Sequence, residues 1–206
     1  MKNITSIIFD LGAVLLNISY QKTINEFEQL GIENSSSFYS KKKQTNIFNL
    51  LETGKITEKN FVSEIKKNCT IASSEQIRYA WNAMLLDLPQ NRLDLIKKLK
   101  NKYKIFLLSN TNEIHIRALK NKIGEKAWAE FSALFDKMYL SFEIGFRKPA
   151  KGAFKIILEE NNLKPNEVLF IDDSPQHIET AKKLGVNCYY LLEGEDITTV
   201  FPDIIL

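Results

Sequence analysis

Acidic, hydroxyl and lysine side chains follow short apolar runs at four places in this chain. Asp10 comes directly after the first run, Ser109 after the second, and the pair Asp172 and Asp173 after a later one, while Lys148 follows closely behind another. Carboxylates that lie close together need a compensating cation, and their hard oxygen atoms favour Mg²⁺. A metal ion and a lysine can neutralise a phosphoryl group so that a carboxylate can attack it. This combination of residue types therefore predicts phosphate chemistry.

Each of these side chains also has an ordinary structural explanation. Asp10 could cap the segment after its strand, and Ser109 could belong to a cluster that caps a helix. Lys148, before Pro149, could be a surface charge beside a turn, and Asp172 could open a capped helix. Taken singly, these explanations are the simpler ones. The order of the residues at successive strand ends is what favours a shared site.

The apolar runs themselves predict buried strands. They are short and rich in Ile, Val, Phe and Tyr, and they lie at residues 4–9, 105–108, 137–140, 168–171 and 186–192. Amphipathic helical patterns alternate with them, at residues 93–99, 153–157 and 178–184. This alternation is typical of an α/β fold, and we predict a Rossmann-like, three-layer core with a central parallel sheet. Ligands bind beyond the carboxyl ends of the strands in such a sheet, where Asp10 and Ser109 would stand.

The alternation is interrupted between residues 18 and 84, where helical patterns replace strands. Thr57 is suited to cap one of these helices. We therefore predict a core domain of residues 1–16 and 88–206 and an inserted helical cap domain of residues 17–87, with hinges near Leu16–Asn17 and at residues 86–89. Cap residues that could face the crevice are Tyr20, Phe48 and Glu52, although ordinary packing within the helices explains them equally well.

The amino-acid composition limits the kinds of function that the chain could have. The chain has 206 residues, of which 44% are hydrophobic and 26% charged, and its formal net charge is +3. These values are typical of a globular protein and give no indication of nucleic-acid or membrane partners. The basic clusters at residues 41–43, 97–98 and 100 fit solvated helix faces. Cys69 and Cys188 are far apart and predict neither a zinc site nor a disulfide. The N-terminus lacks the pattern of a signal peptide, so we expect a cytoplasmic protein, and no protein partner can be inferred.

Four ordered segments give the chain a family resemblance. Residues 9–15 (FDLGAVL), 108–112 (LSNTN), 145–149 (GFRKP) and 170–174 (FIDDS) resemble the four motifs of the haloacid-dehalogenase-like hydrolases. The predicted helical insert stands where that superfamily places its small cap. The first three segments further resemble a subgroup of bacterial sugar-phosphate phosphatases, including those that act on α-D-glucose 1-phosphate. The resemblance implies a Mg²⁺-dependent phosphatase that acts on a small phosphorylated metabolite through an aspartyl-phosphate intermediate.

The resemblance also implies a set of metal ligands. Asp10 would be both the nucleophile and a ligand, the backbone carbonyl of Gly12 a second ligand and Asp172 a third. Asp173 would either bind the metal through water or hold Lys148, and both roles are compatible with the sequence.

The phosphoryl group would be held by residues from the second and third motifs. Ser109, with Asn110 beside it, would orient the phosphoryl group. Lys148 would stabilise both the nucleophile and the charge of the transition state.

One position departs from the usual pattern. Most phosphatases of the superfamily carry a second aspartate two residues after the nucleophile, which protonates the leaving group, and here that position is Gly12. Loss of a positioned acid–base group typically lowers the rate by about 10²–10⁴-fold. We therefore hypothesise that the enzyme prefers esters whose leaving group departs readily. His115 is a candidate for a substitute acid, although a position on a helix face explains it more simply.

Two other functions are compatible with part of this pattern. A 2-haloacid dehalogenase uses the same aspartate nucleophile without the second aspartate and without metal, but such enzymes do not keep the acidic pair Asp172 and Asp173. A catalytically weak protein that binds a metabolite on the same scaffold would explain Gly12, but not the retention of Asp10, Lys148 and Asp172.

Overall fold

A single parallel sheet forms the centre of the molecule. The computed structural model describes residues 3–32, 35, 46–69 and 71–199. Within them five strands pair in the order β3-β2-β1-β4-β5, and all the pairings are parallel. The strands are β1 Ser6–Phe9, β2 Lys104–Ser109, β3 Lys137–Leu140, β4 Val168–Asp172 and β5 Asn187–Tyr190. The predicted α/β fold with a parallel sheet is confirmed, although β1 and β5 are shorter than the apolar runs that indicated them.

Helices cover both faces of this sheet. Alternate residues of a strand point to opposite faces, and in β1 Ile7 and Phe9 enter one apolar cluster while Ile8 enters another. Within the described ranges, the first four helices of the chain form the insert between β1 and β2. The helices that cover the sheet are α5 Gln90–Leu99, α6 Glu113–Ile123, α7 Glu125–Ser132, the short α8 Ser141–Ile144, α9 Lys151–Glu160 and α10 Pro175–Lys183, with a 3₁₀ turn at Pro165–Glu167. The amphipathic patterns at residues 93–99, 153–157 and 178–184 fall on α5, α9 and α10, as predicted.

The strand register brings the predicted site residues to one edge of the sheet. Phe9 pairs with Leu107 of β2 and with Ile171 of β4. Parallel strands that are in register end at the same edge. The residues just beyond these pairs, Asp10 and Asp172, therefore leave the sheet side by side.

Among the described residues between β1 and β2, four helices share an apolar core, to which Ile114 of α6 also contributes. They are α1 Tyr20–Gln29, α2 Asn46–Glu52, α3 Glu58–Lys66 and α4 Ser74–Asn82. Trp81 is fully buried at the centre of this core, against Phe48 and Phe61. Thr57 caps α3 as predicted, since its side chain accepts a hydrogen bond from the backbone N–H of Asn60.

Two chain segments join the helical insert to the sheet, and they lie against each other. The backbone N–H of Asn17 donates to Asp87 (2.9 Å), and that of Leu86 donates back to Asn17 (3.0 Å). The side-chain amide of Asn17 also donates to the Asp87 carboxylate (3.1 Å). Both predicted hinges are therefore hydrogen-bonded to one another, while the division into two domains stays a prediction.

One of the basic clusters lies on the surface of the molecule. Lys97, Lys98 and Lys100 are exposed around the end of α5, whereas residues 41–43 lie outside the described residues. Among the helices within the described ranges, none combines the length and the apolar character that crossing a bilayer requires.

Candidate active site

A buried lysine lies between two carboxylates at the carboxyl edge of the sheet. Lys148 Nζ is 2.9 Å from Asp10 Oδ1 and 2.6 Å from Asp172 Oδ2. Lys148 and Asp172 are fully buried, and Asp10 is 8% exposed. Asp10 Oδ1 also accepts a hydrogen bond from the backbone N–H of Leu11 (2.7 Å). Three residues from three separate motifs of the sequence are thus in direct contact.

The electrostatics of this cluster follow from its burial. Burial raises the pKa of the Asp10 carboxyl to about 7, although the positive charge of Lys148 acts against this shift. Burial raises the pKa of Asp172 for the same reason. Burial alone would lower the pKa of Lys148, but the two carboxylates outweigh it and the net shift is upward. Lys148 is therefore an ammonium ion, and its positive charge offsets the repulsion between the carboxylates of Asp10 and Asp172.

His177 joins this cluster and was missed by the sequence analysis. Its Nδ1 atom lies 2.9 Å from Asp172 Oδ1 and 3.0 Å from Oδ2. Burial lowers the pKa of His177 to about 3, so the ring is neutral, and since a carboxylate can only accept, Nδ1 carries the proton. The backbone N–H of Ser174 donates to the same carboxylate (2.8 Å). The sequence feature that could have indicated this contact is a histidine in the first turn of the helix that follows the aspartate at the end of a strand.

Asn110 lies beside the cluster, and its side chain is bonded to backbone. Its amide nitrogen donates to the carbonyl of Lys148 (2.9 Å), and its amide oxygen accepts from the N–H of Lys148 (2.8 Å). This two-point contact fixes the loop that carries Lys148. The predicted contact of Asn110 with the phosphoryl group stays a prediction.

Ser109 stands at the end of β2 and lines the crevice above the cluster. The segment after it is anchored by a hydroxyl from another strand end. Ser141 Oγ accepts from the N–H of Thr111 and donates to its carbonyl, both at 2.9 Å. The N–H of Thr111 is therefore engaged within the protein, and the first N–H groups of α6 begin only after Asn112, which caps the helix.

Gly12 lines the same crevice, and the space beside it is filled by an apolar side chain. A Cβ atom placed on Gly12 would lie 3.0 Å from Cδ1 of Ile18. Asp173, the second acidic residue after β4, also lines the crevice.

His115 occupies the boundary between α6 and the helical insert. Its ring stacks on Trp81 with centroids 4.5 Å apart, and its Nε2 lies 3.1 Å from the Trp81 carbonyl oxygen. Burial lowers its pKa to about 4. A neutral ring whose Nε2 faces a carbonyl holds its proton in that bond. His115 borders the crevice, but its bonding is that of a packing residue, which argues against a role as the substitute acid.

The wall of the crevice includes residues of the insert. Tyr20 and Glu52 line it, together with Arg147 from the loop before Lys148, whereas the ring of Phe48 lies within the core of the insert. Arg147 Nε is 2.8 Å from Glu52 Oε2, and Arg147 Nη1 donates to Asn49 Oδ1 (2.7 Å). Two of the three insert residues named from the sequence thus reach the crevice.

The acidic residues of the cluster could hold a cation. Carboxylate oxygen atoms of Asp10 and Asp172 and a ring nitrogen of His177 lie within 4.8 Å of one another. Because Nδ1 of His177 donates a hydrogen bond to Asp172, the two carboxylates are the ligands that fit a cation here. Divalent cations bind carboxylate oxygen atoms at about 2.0–2.6 Å, so two ligands of one ion lie within about twice that distance of each other. The carboxylates of Asp10 and Asp172 satisfy this requirement.

Comparison with known proteins places most of the chain in one family. Residues 7–191 match the family model described as haloacid dehalogenase-like hydrolase. A D-ribitol-5-phosphate phosphatase from Bacteroides thetaiotaomicron is 30% identical over 194 residues, which are 94% of each chain.

Solved structures are similar over nearly the whole chain. A HAD family enzyme from Bacteroides thetaiotaomicron, solved as the wild-type protein in complex with magnesium and inorganic phosphate, is 34% identical with a TM-score of 0.84 and covers 96% of this chain and 99% of its own. A predicted HAD-like hydrolase from Porphyromonas gingivalis is 28% identical with a TM-score of 0.86, over 98% of both chains. The protein described here therefore belongs to the haloacid dehalogenase-like hydrolase family.

Proposed function

We propose that this chain is a Mg²⁺-dependent phosphatase that hydrolyses a small phosphorylated metabolite through an aspartyl-phosphate intermediate on Asp10. The observation that carries the proposal is the contact of Lys148 with both Asp10 and Asp172, 2.9 and 2.6 Å away. An ammonium ion fixed between two carboxylates suits a site in which an anion must attack an anion.

The metal site would be formed by oxygen atoms of the first and fourth motifs. Asp10 and Asp172 would supply carboxylates, and Gly12 its carbonyl, with Asp173 close by in the same crevice. Hard oxygen ligands of this kind suit Mg²⁺. When bound, the ion would supply positive charge that draws the phosphoryl oxygen atoms toward the nucleophile. The relative that was solved with magnesium and inorganic phosphate supports this assignment.

Asp10 would attack with Oδ2, the carboxylate oxygen that makes no hydrogen bond or ion pair to the residues that the structure describes. Oδ1 carries the contacts with the Leu11 N–H and with Lys148. These two contacts orient the carboxylate, so we assign Oδ2 to the attack on phosphorus. The bond to the leaving oxygen breaks as the aspartyl phosphate forms, and water then releases inorganic phosphate and restores Asp10.

Ser109 and Lys148 would hold the phosphoryl oxygen atoms during this transfer. Both are buried; Ser109 lines the crevice together with Asp10, and Lys148 contacts Asp10 directly. Before the attack the carboxylates of Asp10 and Asp172 stabilise the ammonium charge of Lys148. Once Asp10 has become the aspartyl phosphate, Asp172 and the phosphoryl oxygen atoms would stabilise that charge. Asn110 would act on Lys148 by fixing the backbone of its loop at both the N–H and the carbonyl.

The helical insert would act as a cap over this site. Its core is separate from the two clusters that flank the sheet, and the two chain segments that join it to the sheet are adjacent. Because Tyr20 and Glu52 reach the crevice from the insert, closure would exclude water from the intermediate. We infer that residues 17–87 form the cap domain and that residues 1–16 and 88–206 form the core.

The named activity of one relative indicates the class of phosphorylated substrate. A D-ribitol-5-phosphate phosphatase is 30% identical to this chain, which supports a sugar phosphate or a polyol phosphate. The more specific resemblance to glucose-1-phosphate phosphatases stays a prediction.

Phosphate release from p-nitrophenyl phosphate, D-ribitol 5-phosphate and α-D-glucose 1-phosphate tests the proposal. We expect turnover with Mg²⁺, loss of turnover in chelator, and a decrease of at least about 10³-fold in kcat for Asp10→Asn. Asp94→Asn is the matched control, since Asp94 is an exposed carboxylate on α5. Chloride release from 2-chloropropionate in chelator would instead indicate a dehalogenase. An Asp10→Asn variant as active as the wild type would mean that Asp10 is not the nucleophile. A wild-type chain that releases phosphate from none of the three esters would instead indicate a binding protein.

A further inference from the structure

An ion pair between a buried carboxylate and a partly buried guanidinium lies in the wall of the crevice, outside the cluster of Asp10, Lys148 and Asp172. Glu52, the last residue of α2, is 4% exposed, and its Oε2 atom is 2.8 Å from Nε of Arg147. Arg147 directly precedes Lys148 in the chain and also donates from Nη1 to Asn49. The pair therefore joins the helical insert to the loop that carries the buried lysine.

The pair borders the space that a leaving group would occupy. Glu52 and Arg147 line the same crevice as Asp10 and Ser109. Tyr20 lines it as well, and burial raises the pKa of its hydroxyl, with the carboxylates of Asp173, Asp10 and Glu52 adding to the shift. Tyr20 therefore remains protonated and is a hydrogen-bond donor at every physiological pH.

A paired carboxylate and guanidinium suit hydroxyl groups better than other substituents. A hydroxyl both donates and accepts, so it can bond to Glu52 and to Arg147 or Tyr20 without disturbing their pairing. A second anionic group on the substrate would have to compete with Glu52 for Arg147. An aryl group would cover the two charges and satisfy neither, which is costly in a buried site.

We propose that Glu52 and Arg147 determine substrate specificity by binding hydroxyl groups of the leaving group, so that the substrate is a polyol phosphate or sugar phosphate with no charged group besides the phosphoryl group that is transferred. This inference rests on the proposed phosphatase function. Glu52 and Arg147 would contact the leaving group of the substrate, whereas Asp10, Lys148 and Asp172 would act on the phosphoryl group that is transferred.

A purely structural role would also explain an ion pair between insert and core, and the chain offers a matched control for it. Glu58 of α3 pairs with Arg78 of α4 and with Arg117 of α6, so it too joins the insert to the core. Glu58 does not line the crevice. If the Glu52 pair merely held the insert in place, neutralising either glutamate would affect all substrates alike.

The experiment compares Glu52→Gln and Glu58→Gln in the full chain with Mg²⁺. The readout is the ratio of kcat/KM for D-ribitol 5-phosphate to kcat/KM for p-nitrophenyl phosphate. We expect Glu52→Gln to lower this ratio by about 10- to 100-fold, the value of hydrogen bonds to a charged group, with the loss mainly in KM. Glu58→Gln should leave the ratio as it is in the wild type.

A binding measurement separates recognition from turnover. Calorimetry of D-ribitol 5-phosphate with the Asp10→Asn variant should show Kd rising by a similar factor when Glu52→Gln is added. An unchanged ratio in Glu52→Gln, or an equal change in Glu58→Gln, would overturn the inference while leaving the phosphatase function intact. A wild-type chain that cleaves neither ester would overturn the proposed function itself.

Discussion

The side chain of Ile18 fills the space beside Gly12. A Cβ atom on Gly12 would stand 3.0 Å from Cδ1 of Ile18, and both residues line the crevice that contains Asp10. Position 12, where many related phosphatases carry an acid, thus has no acidic side chain in this protein. A side chain placed there would be tight against the end of Ile18, which would have to shift slightly to admit it.

The first prediction is a strong dependence of the rate on the leaving group. Without a proton donor at position 12, the leaving oxygen must depart with most of its negative charge, so acidic phenols should leave faster. A series of substituted phenyl phosphates keeps the shape of the substrate nearly constant. We expect log kcat to fall steadily as the pKa of the phenol rises. A flat series would mean that another residue supplies the proton.

The second prediction is that an acid can be restored. Ile18→Val removes the δ-methyl group that would crowd a new side chain, so Gly12→Asp combined with Ile18→Val should fit the crevice. We expect this double variant to flatten the leaving-group series and to raise kcat for the least acidic phenols by up to about 10²-fold. Gly12→Asn with Ile18→Val is the control, because it has the same shape without a transferable proton. Equal rates for the two double variants would contradict the prediction.

The sequence predicted the sheet because its strands are buried on both faces. The runs that contain residues such as Ile7, Phe9 and Leu107 are continuously apolar, and these residues are buried. The polar residue that ends each run marks the edge of the sheet. The register of parallel strands then brings Asp10 and Asp172 together without further information. The central contacts of the site therefore followed from local patterns and their order.

Side-chain partners that depend on helix orientation could not be predicted in this way. The contact of His177 with Asp172 depends on the direction in which α10 leaves β4, and that of Glu52 with Arg147 depends on the packing of the insert. Asn110 bonds to the backbone of Lys148, 38 residues away, which no local pattern indicates. Long-range packing decides these contacts.

The third prediction concerns the stability supplied by Lys148. Lys148→Met keeps the length of the side chain but leaves Asp10 and Asp172 facing each other without a cation. Removing one partner of a buried ion pair costs about 3–5 kcal/mol, so we expect a loss of this order in the free energy of unfolding, measured by urea denaturation in chelator. Mg²⁺ should restore part of the loss in this variant, since it would stabilise the same two carboxylates.

Lys137→Met is the control for this substitution. Lys137 forms an exposed ion pair with Glu160, so neutralising it should change the stability little. If Lys148→Met were as stable as the wild type in chelator, the two carboxylates would not need the lysine, and its role in the site would have to be reconsidered.

The fourth prediction is a pH dependence of stability that comes from His115. Burial against Trp81 lowers its pKa to about 4 in the folded state, against 6.5 for an ordinary histidine. Above pH 6.5 the ring is neutral in both states. As the pH falls from 6.5 toward 4, the unfolded chain takes up a proton that the folded chain does not, so the free energy of unfolding decreases by up to roughly 3 kcal/mol.

Urea denaturation at pH 5 and pH 7.5 measures this effect by comparison with His115→Gln. The variant can still donate to the Trp81 carbonyl but cannot titrate, so its stability should fall less between the two values. Asp10 acts in the opposite direction, because its raised pKa favours the folded state at low pH, but it is present in both proteins and cancels in the difference. Equal pH dependence in the two proteins would mean that His115 is protonated in the folded state, and the ring would then carry a charge beside the crevice.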